Sequence, residues 1–274
     1  MLNSRYPPQF PPLWANAWGD DRYGLWAEFE LSGVTQRLRW IEPGEFLMGS
    51  PDDEPERREK MEGPQHWVRL SAGFWLADTA CTQALWVAVL GAGNPSAVKD
   101  YLTCPVERVS AHDAEVFLAR LSAALGDGAH AALPTEAQWE YACRAGTATP
   151  FSFGTNITPE QVNYNGNYPY AGSLKGLHRN RTVPVKSLPA NPWGLYEMHG
   201  NVWERCRDEL RSYDATAPGQ AVHDPEGAFD SAVRALRGGT WSDYAGMARC
   251  AFRYGDRRGD RILLDVGFRF SLKS

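Results

Sequence analysis

The side chains best suited to redox or metal chemistry are five cysteines (Cys81, Cys104, Cys143, Cys206 and Cys250) and six histidines (His66, His112, His130, His178, His199 and His223). The cysteine number is odd and the spacings are wide, so a disulfide framework is not indicated. No C-x-x-C pair occurs and no two histidines lie four apart, so zinc-type ligand spacing is absent as well. A G-x-S-x-G elbow, a phosphate-binding glycine loop ending in Lys-Ser/Thr and obviously paired carboxylates are also missing. Any chemistry must therefore be assembled by the fold from residues far apart in the chain.

The 274 residues carry 28 Lys+Arg against 33 Asp+Glu, a formal charge of −5, with 26 Gly, 19 Pro and 11 Trp. That length allows one large or two ordinary domains. The acidic balance argues against nucleic acid as a partner, since backbone phosphate binding needs a basic face. No apolar run is long enough to cross a bilayer, and MLNSRYPPQFPPLW has no apolar core of a signal peptide, so a cytoplasmic protein without membrane insertion is expected. Eleven indoles among many glycines suggest an irregular, loop-rich fold.

Residues 1–13 contain four prolines and read as an extended tail or linker; the fold is expected to start near Trp14 and to run as one domain over 14–274. RLRWIEPGEFLMGS, from 37 to 50, reads as a β-hairpin around Pro43-Gly44. PDDEPERREKMEGP, from 51 to 64, mixes both charges with three prolines and reads as a solvated loop. Three helices are indicated. Thr82 and Gly91 bracket QALWVAVL; Ser110 precedes AHDAEVFLARLSAAL, with Val116, Phe117, Leu121 and Leu125 on one face; and Thr135 with Gln138 forms a capping box ahead of a helix ended by Gly146. Past 150, short β-type segments alternate with Gly, Pro and Asn, giving an α+β chain.

GEFLMGS (44–50), LPTEAQWEYACRAG (133–146), NPWGLYEMHGNVWE (191–204), RALRGGTW (234–241) and VGFRF (266–270) resemble, in order, the signature of the formylglycine-generating enzyme or sulfatase-modifying-factor family. The resemblance covers roughly 38–271 and implies a C-type-lectin-like fold, low in regular secondary structure, with few helices and short antiparallel strands. Gly238, Gly239, Gly200 and Gly267, with Arg237 and Arg269, are read as scaffold. Asn163, Tyr164, Asn201 and Glu204 resemble family positions that hold calcium through oxygen ligands. No other cofactor is required.

The family's oxidation chemistry resembles a copper-assisted reaction at two cysteines just beyond the GG-S/T-aromatic motif, where soft thiolates select Cu(I). Here that stretch is GGTWSDYAGMARCAFRYGD: Asp243 stands near the first position, no cysteine fills the second, and Cys250 matches a non-catalytic position. No catalytic residue is assigned, and an enzyme is not expected. The segment instead resembles the variable region of retroelement-diversified proteins, with 234–270 as the candidate region between invariant flanks. The contact positions are then Ser242, Asp243, Tyr244, Met247, Phe252, Tyr254, Asp256, Asp260, Ile262, Leu263, Leu264 and Asp265. Ile262 to Leu264 supports this, because strand alternation hides at most alternate residues of three consecutive apolar ones. The expected function is non-catalytic capture of a protein or other macromolecule by a monomer. The alternative is an unrecognised oxidoreductase or pseudoenzyme of the same family.

Overall fold

The computed structural model describes residues 5–91, 93–99, 101–126, 128–213, 220–227, 233–256 and 264–273. The chain begins with β1 (Ala17–Asp21), β2 (Gly24–Leu31), β3 (Val34–Ile41) and β4 (Gly44–Met48), then α1 (Glu59–Glu62), β5 (His66–Leu70) and β6 (Phe74–Ala77). Helices α2 (Gln83–Leu90) and α3 (Ala111–Leu125) follow, then β7 (His130–Ala132) and α4 (Glu136–Arg144). A long stretch with little regular structure leads to β8 (Trp203–Glu209), β9 (Ala221–His223), β10 (Arg234–Arg237), β11 (Tyr254–Asp256), β12 (Val266–Phe268) and β13 (Ser271–Lys273).

These strands make three sheets, ordered β1-β2-β3-β6-β13-β7, β11-β10-β8-β12 and β4-β5-β9. Most pairs are antiparallel, but β12 lies parallel to β8 and β9 parallel to β5. The last strand β13 sits inside the first sheet between β6 and β7, so the first and last strands share one sheet. α2 and α3 cover that sheet, with Trp86 stacked on Phe117 at 5.4 Å and Phe117 against Phe268 and Phe270. Residues 5–13 run along the same body: Phe10 stacks on Trp75, and the Trp40 indole donates to the Arg5 carbonyl at 2.6 Å. Among the described residues no helix is long and apolar enough to cross a membrane.

The three expected helices start where their caps dictate, and α4 ends at Ala145, φ 48°, one residue before the expected Gly146. Thr82 accepts from Leu85 N–H and Gly91 ends α2 in the left-handed region at φ 78°. Ser110 with Asp113 and Thr135 with Gln138 both form reciprocal capping boxes. Val116 differs from its expected place: it is largely exposed, while Ala114, Phe117, Leu118 and Leu121 form the buried face. The hairpin around Pro43-Gly44 is also corrected. β3 already pairs with β2 and β6 on its two edges, so β4 leaves for another sheet and pairs with β5.

The charged segment 51–64 is likewise not simply solvated. Glu54 and Glu62 are buried on the Arg249 guanidinium, at 2.5 Å and 2.7 Å from Nη1. A second set of buried ion pairs is centred on α4. Arg253 grips Glu136 with Nε at 2.6 Å and Nη2 at 2.5 Å, and Arg237 bridges Glu136 and Glu140. Glu140 also accepts from Arg144 and from the Gly49 N–H at 2.9 Å. Burial alone would disfavour the Glu140 charge, but Arg144 and Arg237 outweigh it and hold the carboxyl below its ordinary value.

Removing one member of such a pair leaves an uncompensated buried charge. Glu140→Ala is therefore expected to cost about 3–5 kcal/mol, read from denaturant unfolding midpoints. Because the folded-state pKa lies below the unfolded one, the Glu140 contribution is complete above the ordinary value of 4.5 and is lost as the pH falls below it.

Candidate functional site

The RALRGGTW segment carries the chain from β10 to the surface. Gly239 has φ 72°, and a Cβ there would stand 3.0 Å from the Met247 carbonyl oxygen, so the position takes no larger residue without strain. Thr240 and Asp243 then lock a turn: the Asp243 carboxylate accepts from Thr240 N–H at 3.0 Å and from its hydroxyl at 3.1 Å. Ser242 donates through Oγ to Asp265 at 3.2 Å, tying the turn to the segment before β12. A short 3-10 turn, Ala245–Ala248, follows.

Two other loops close around this turn. Asn165 N–H donates to the Asp243 carbonyl at 2.9 Å, and Ala245 N–H donates to the Tyr168 carbonyl at 3.0 Å. Tyr170 donates its hydroxyl to the Pro55 carbonyl, Ala171 N–H donates to Glu56 Oε1 at 2.9 Å, and Arg249 Nη2 donates to the Glu56 carbonyl at 2.9 Å. The result is a concave surface of 760 Å³ lined by Glu56, Tyr168, Lys175, Asp243, Tyr244 and Met247, among others. Burial, reinforced by Asp265, raises the Asp243 carboxyl to about 6 although Thr240 hydrogen bonds oppose the shift.

Of the expected contact residues, Ser242, Asp243, Tyr244 and Met247 line this cavity and Asp265 reaches it through Ser242. Tyr254 and Leu264 are exposed, at 42% and 67%, but do not line it. Asp260, Ile262 and Leu263 lie outside the described residues. Phe252 and Asp256 require correction. Phe252 is fully buried with Trp203, Leu236 and Val266, and Asp256 is buried on Arg205 at 2.9 Å, so both are scaffold. Sequence reasoning missed Glu56, Tyr168 and Lys175. The Tyr-Pro-Tyr between Asn167 and Ala171 was a local signal of an aromatic loop, but only tertiary packing brings Glu56 beside it.

The four expected calcium ligands divide into two clusters. Asn163 Nδ2 donates to Asn201 Oδ1 at 3.0 Å, and Asn201 N–H takes the Asn163 carbonyl at 2.9 Å. Glu204 is elsewhere: its oxygens accept from Trp139 Nε1 at 2.7 Å and from Arg269 Nη2 at 2.9 Å. Asn163 Oδ1 and the Tyr164 hydroxyl are buried without a protein partner, but these two oxygens fall well short of the roughly six to eight that calcium takes. The set does not fit calcium, and Glu204 is corrected from a metal ligand to the counter-ion of Arg269.

A second set does bring metal-type ligands together. Cys143, His199 and Cys250 are all buried, with ligand atoms within 4.8 Å of one another and the two sulfurs 3.7 Å apart. The imidazole is already committed, however. Nδ1–H donates to the Ala248 carbonyl at 2.7 Å, and Nε2 accepts from Ser152 N–H at 3.2 Å and lies 2.9 Å from its hydroxyl. Burial lowers His199 to about 4 and pushes the Cys143 thiol well above its ordinary value, so both are neutral near pH 7. The trio is packed as a hydrogen-bonded cluster in the core.

Calcium and EDTA are accordingly expected to give the same thermal midpoint, whereas Glu204→Ala should lose about 3 kcal/mol or more by stranding Arg269, as read by calorimetry. A calcium-dependent rise in Tm would return the asparagine cluster to the list of metal sites.

Comparisons with known proteins agree with this architecture. Residues 28–273 match the family model of the sulfatase-modifying factor enzyme 1-like domain. The structure superposes on Treponema denticola variable protein 1 with a TM-score of 0.73 at 26% identity, covering 91% of this chain and 99% of that one. PvdO from Pseudomonas aeruginosa has the same fold, with a TM-score of 0.68 at 24% identity over 95% of this chain and 99% of that one. The formylglycine-generating enzyme of Streptomyces coelicolor is 34% identical over 199 residues, 67% of this chain and 59% of that protein. Serine/threonine-protein kinase pkn1 of Chlamydia caviae is 37% identical over 140 residues, half of this chain but only 20% of the kinase. The chain thus spans a fifth to three-fifths of these two relatives. Its α+β architecture is the C-type-lectin-like fold of the formylglycine-generating-enzyme type. The chain belongs to the family of sulfatase-modifying factor enzyme 1-like domains.

Proposed function

We propose that this domain is a non-catalytic ligand-binding protein whose surface within 242–265 is diversified by a retroelement to capture varied macromolecular ligands. The observation that carries the reading is the division of labour within 234–256. Arg237, Arg249 and Arg253 are buried and tied to carboxylates, while Ser242, Asp243, Tyr244 and Met247 line an open cavity between them. Side chains on such a held loop carry little folding energy, so they can change without unfolding the frame. The likeness to a protein described as variable supports the same reading.

Ligand capture without chemistry also suits the thiols. Cys250 is the one cysteine between Gly238 and Asp256, and it is fully buried beside Cys143. All five cysteines are free and buried, which suits a reducing, cytoplasmic setting. Tyr244 and Tyr254 offer large contact area at low entropic cost, and Ser242 and Asp265 offer directional polar contacts. A monomer suffices, because the cavity is completed by loops of one chain.

Sequencing the locus and its neighbourhood tests the proposal. An asparagine codon becomes a Ser, Asp, Tyr or Leu codon when one or both of its adenines are replaced. A near-copy of the codons for 234–270 is therefore expected nearby, with asparagine at 242, 243, 244, 254, 264 and 265, together with a reverse transcriptase gene. Sibling cells should differ at these positions and stay constant at Phe252 and Asp256. The absence of both the copy and the transcriptase would sink the idea.

A further inference from the structure

We infer that the cavity beside Tyr244 takes an arginine side chain presented by a protein partner, with Glu56 as its fixed counter-charge. The inference rests on the ligand-binding reading above and names the class of ligand. The cavity is walled by Tyr168 and Tyr244, which are 62% and 40% exposed, and carries two carboxylates, Glu56 and Asp243, against the single ammonium of Lys175. It adjoins a second concavity of 510 Å³ that shares Glu56 and is lined by Asp52, Glu54, Glu59 and Arg57. Glu54 is spent on Arg249, and Asp52 lies 2.8 Å from Arg57. Glu56 and Glu59 therefore leave an acidic excess on this side of the aromatic walls.

Glu56 is positioned rather than merely present. Its backbone is held at φ 59°, a conformation costly for a residue with a side chain, and its carbonyl is bound by buried Arg249. Its side chain lies across Gly246, where a Cβ would collide with Oε2. Oε1 accepts from Ala171 N–H, and among the described residues no hydrogen-bond donor reaches Oε2. A carboxylate with one oxygen anchored and the other without a donor, sharing a cavity with two phenol rings, suits a guanidinium. The planar fork donates to the carboxylate while its face stacks on an aromatic ring, a combination that an ammonium matches poorly and an anionic or aliphatic side chain cannot make.

The experiment is an NMR titration of protein carrying carbon-13-labelled tyrosine, following the Tyr168 and Tyr244 rings. The probes are the N-acetyl methylamides of arginine, glutamate and leucine. The arginine probe is expected to shift both rings saturably, with a dissociation constant on the order of 1 mM for a single side chain. Glu56→Gln retains the acceptor for Ala171 and should fold normally, yet weaken the arginine probe about tenfold, the size of one charge-assisted contact. Lys175→Met should strengthen it. Equal or larger shifts with glutamate or leucine, or indifference to Glu56→Gln, would overturn the arginine assignment while leaving a working binding surface. Silence with all three probes would also overturn it, and diversification of the locus is read independently by sequencing.

Discussion

A chain with so little regular secondary structure must find partners for many buried loop carbonyls, and buried arginines supply them. Each guanidinium here divides its donors between a carboxylate and main-chain oxygens. Arg237 holds Glu140 and the carbonyls of Cys250 and Phe252; Arg269 holds Glu204 and the carbonyls of Ala77 and Tyr196; Arg253 holds Glu136 and the Met61 carbonyl. Arg249 joins Glu62 to the Gly246 and Glu56 carbonyls. An unpaired buried carbonyl is costly, and so is an unpaired buried charge; one five-donor side chain relieves both at once. The carboxylates of Glu136 and Glu140, one turn apart on α4, make that helix the point where loops from both halves of the chain converge.

This arrangement determines which residues are free to differ. Between Gly238 and Asp256 the backbone is pinned by Arg237, Arg249 and Arg253, so neighbouring side chains separate sharply into frame and surface. Asp243 stands between the two classes. Its carboxylate caps the Thr240 turn, and a replacement must either accept those hydrogen bonds or leave the Thr240 N–H to water. Ser242 and Tyr244 carry no comparable duty. The Ser242 hydroxyl shares its contacts between the Thr240 hydroxyl at 2.9 Å and Asp265 at 3.2 Å, and the Tyr244 ring is substantially exposed.

The helices were legible because their stop and start signals are local: Thr82, Ser110 and Thr135 act within three residues of themselves. The ordered motifs gave the fold, and the exposed part of 242–265 gave one wall of the cavity. Pairing was not legible where it depends on competition among strands, as when β3 finds both edges occupied and β4 turns to β5. Charge was misread for the same reason. Glu54 and Glu62 look solvated in an acidic segment, and Asp256 looks like a surface contact, until Arg249 and Arg205 arrive from distant positions to pair with them. Phe252 is buried because Trp203 and Leu236 meet it across a sheet that no local pattern announces.

Long-range pairing also shapes the cavity. Glu56 comes from a segment nearly 190 residues before Tyr244, yet the two line one cavity. Under the proposed function, Glu56 as a constant charged anchor and Tyr244 as a changeable part of the aromatic wall would separate two tasks. The anchor would then supply attraction and orientation common to the proposed ligands, while the wall would set which neighbouring side chains are accepted. Under that proposal, varying the wall would explore specificity without first rebuilding affinity. Arg249 makes this workable, since the same guanidinium fixes the Glu56 backbone and the 3-10 turn carrying Met247. Anchor and wall hold their spacing through a buried side chain that neither has to change.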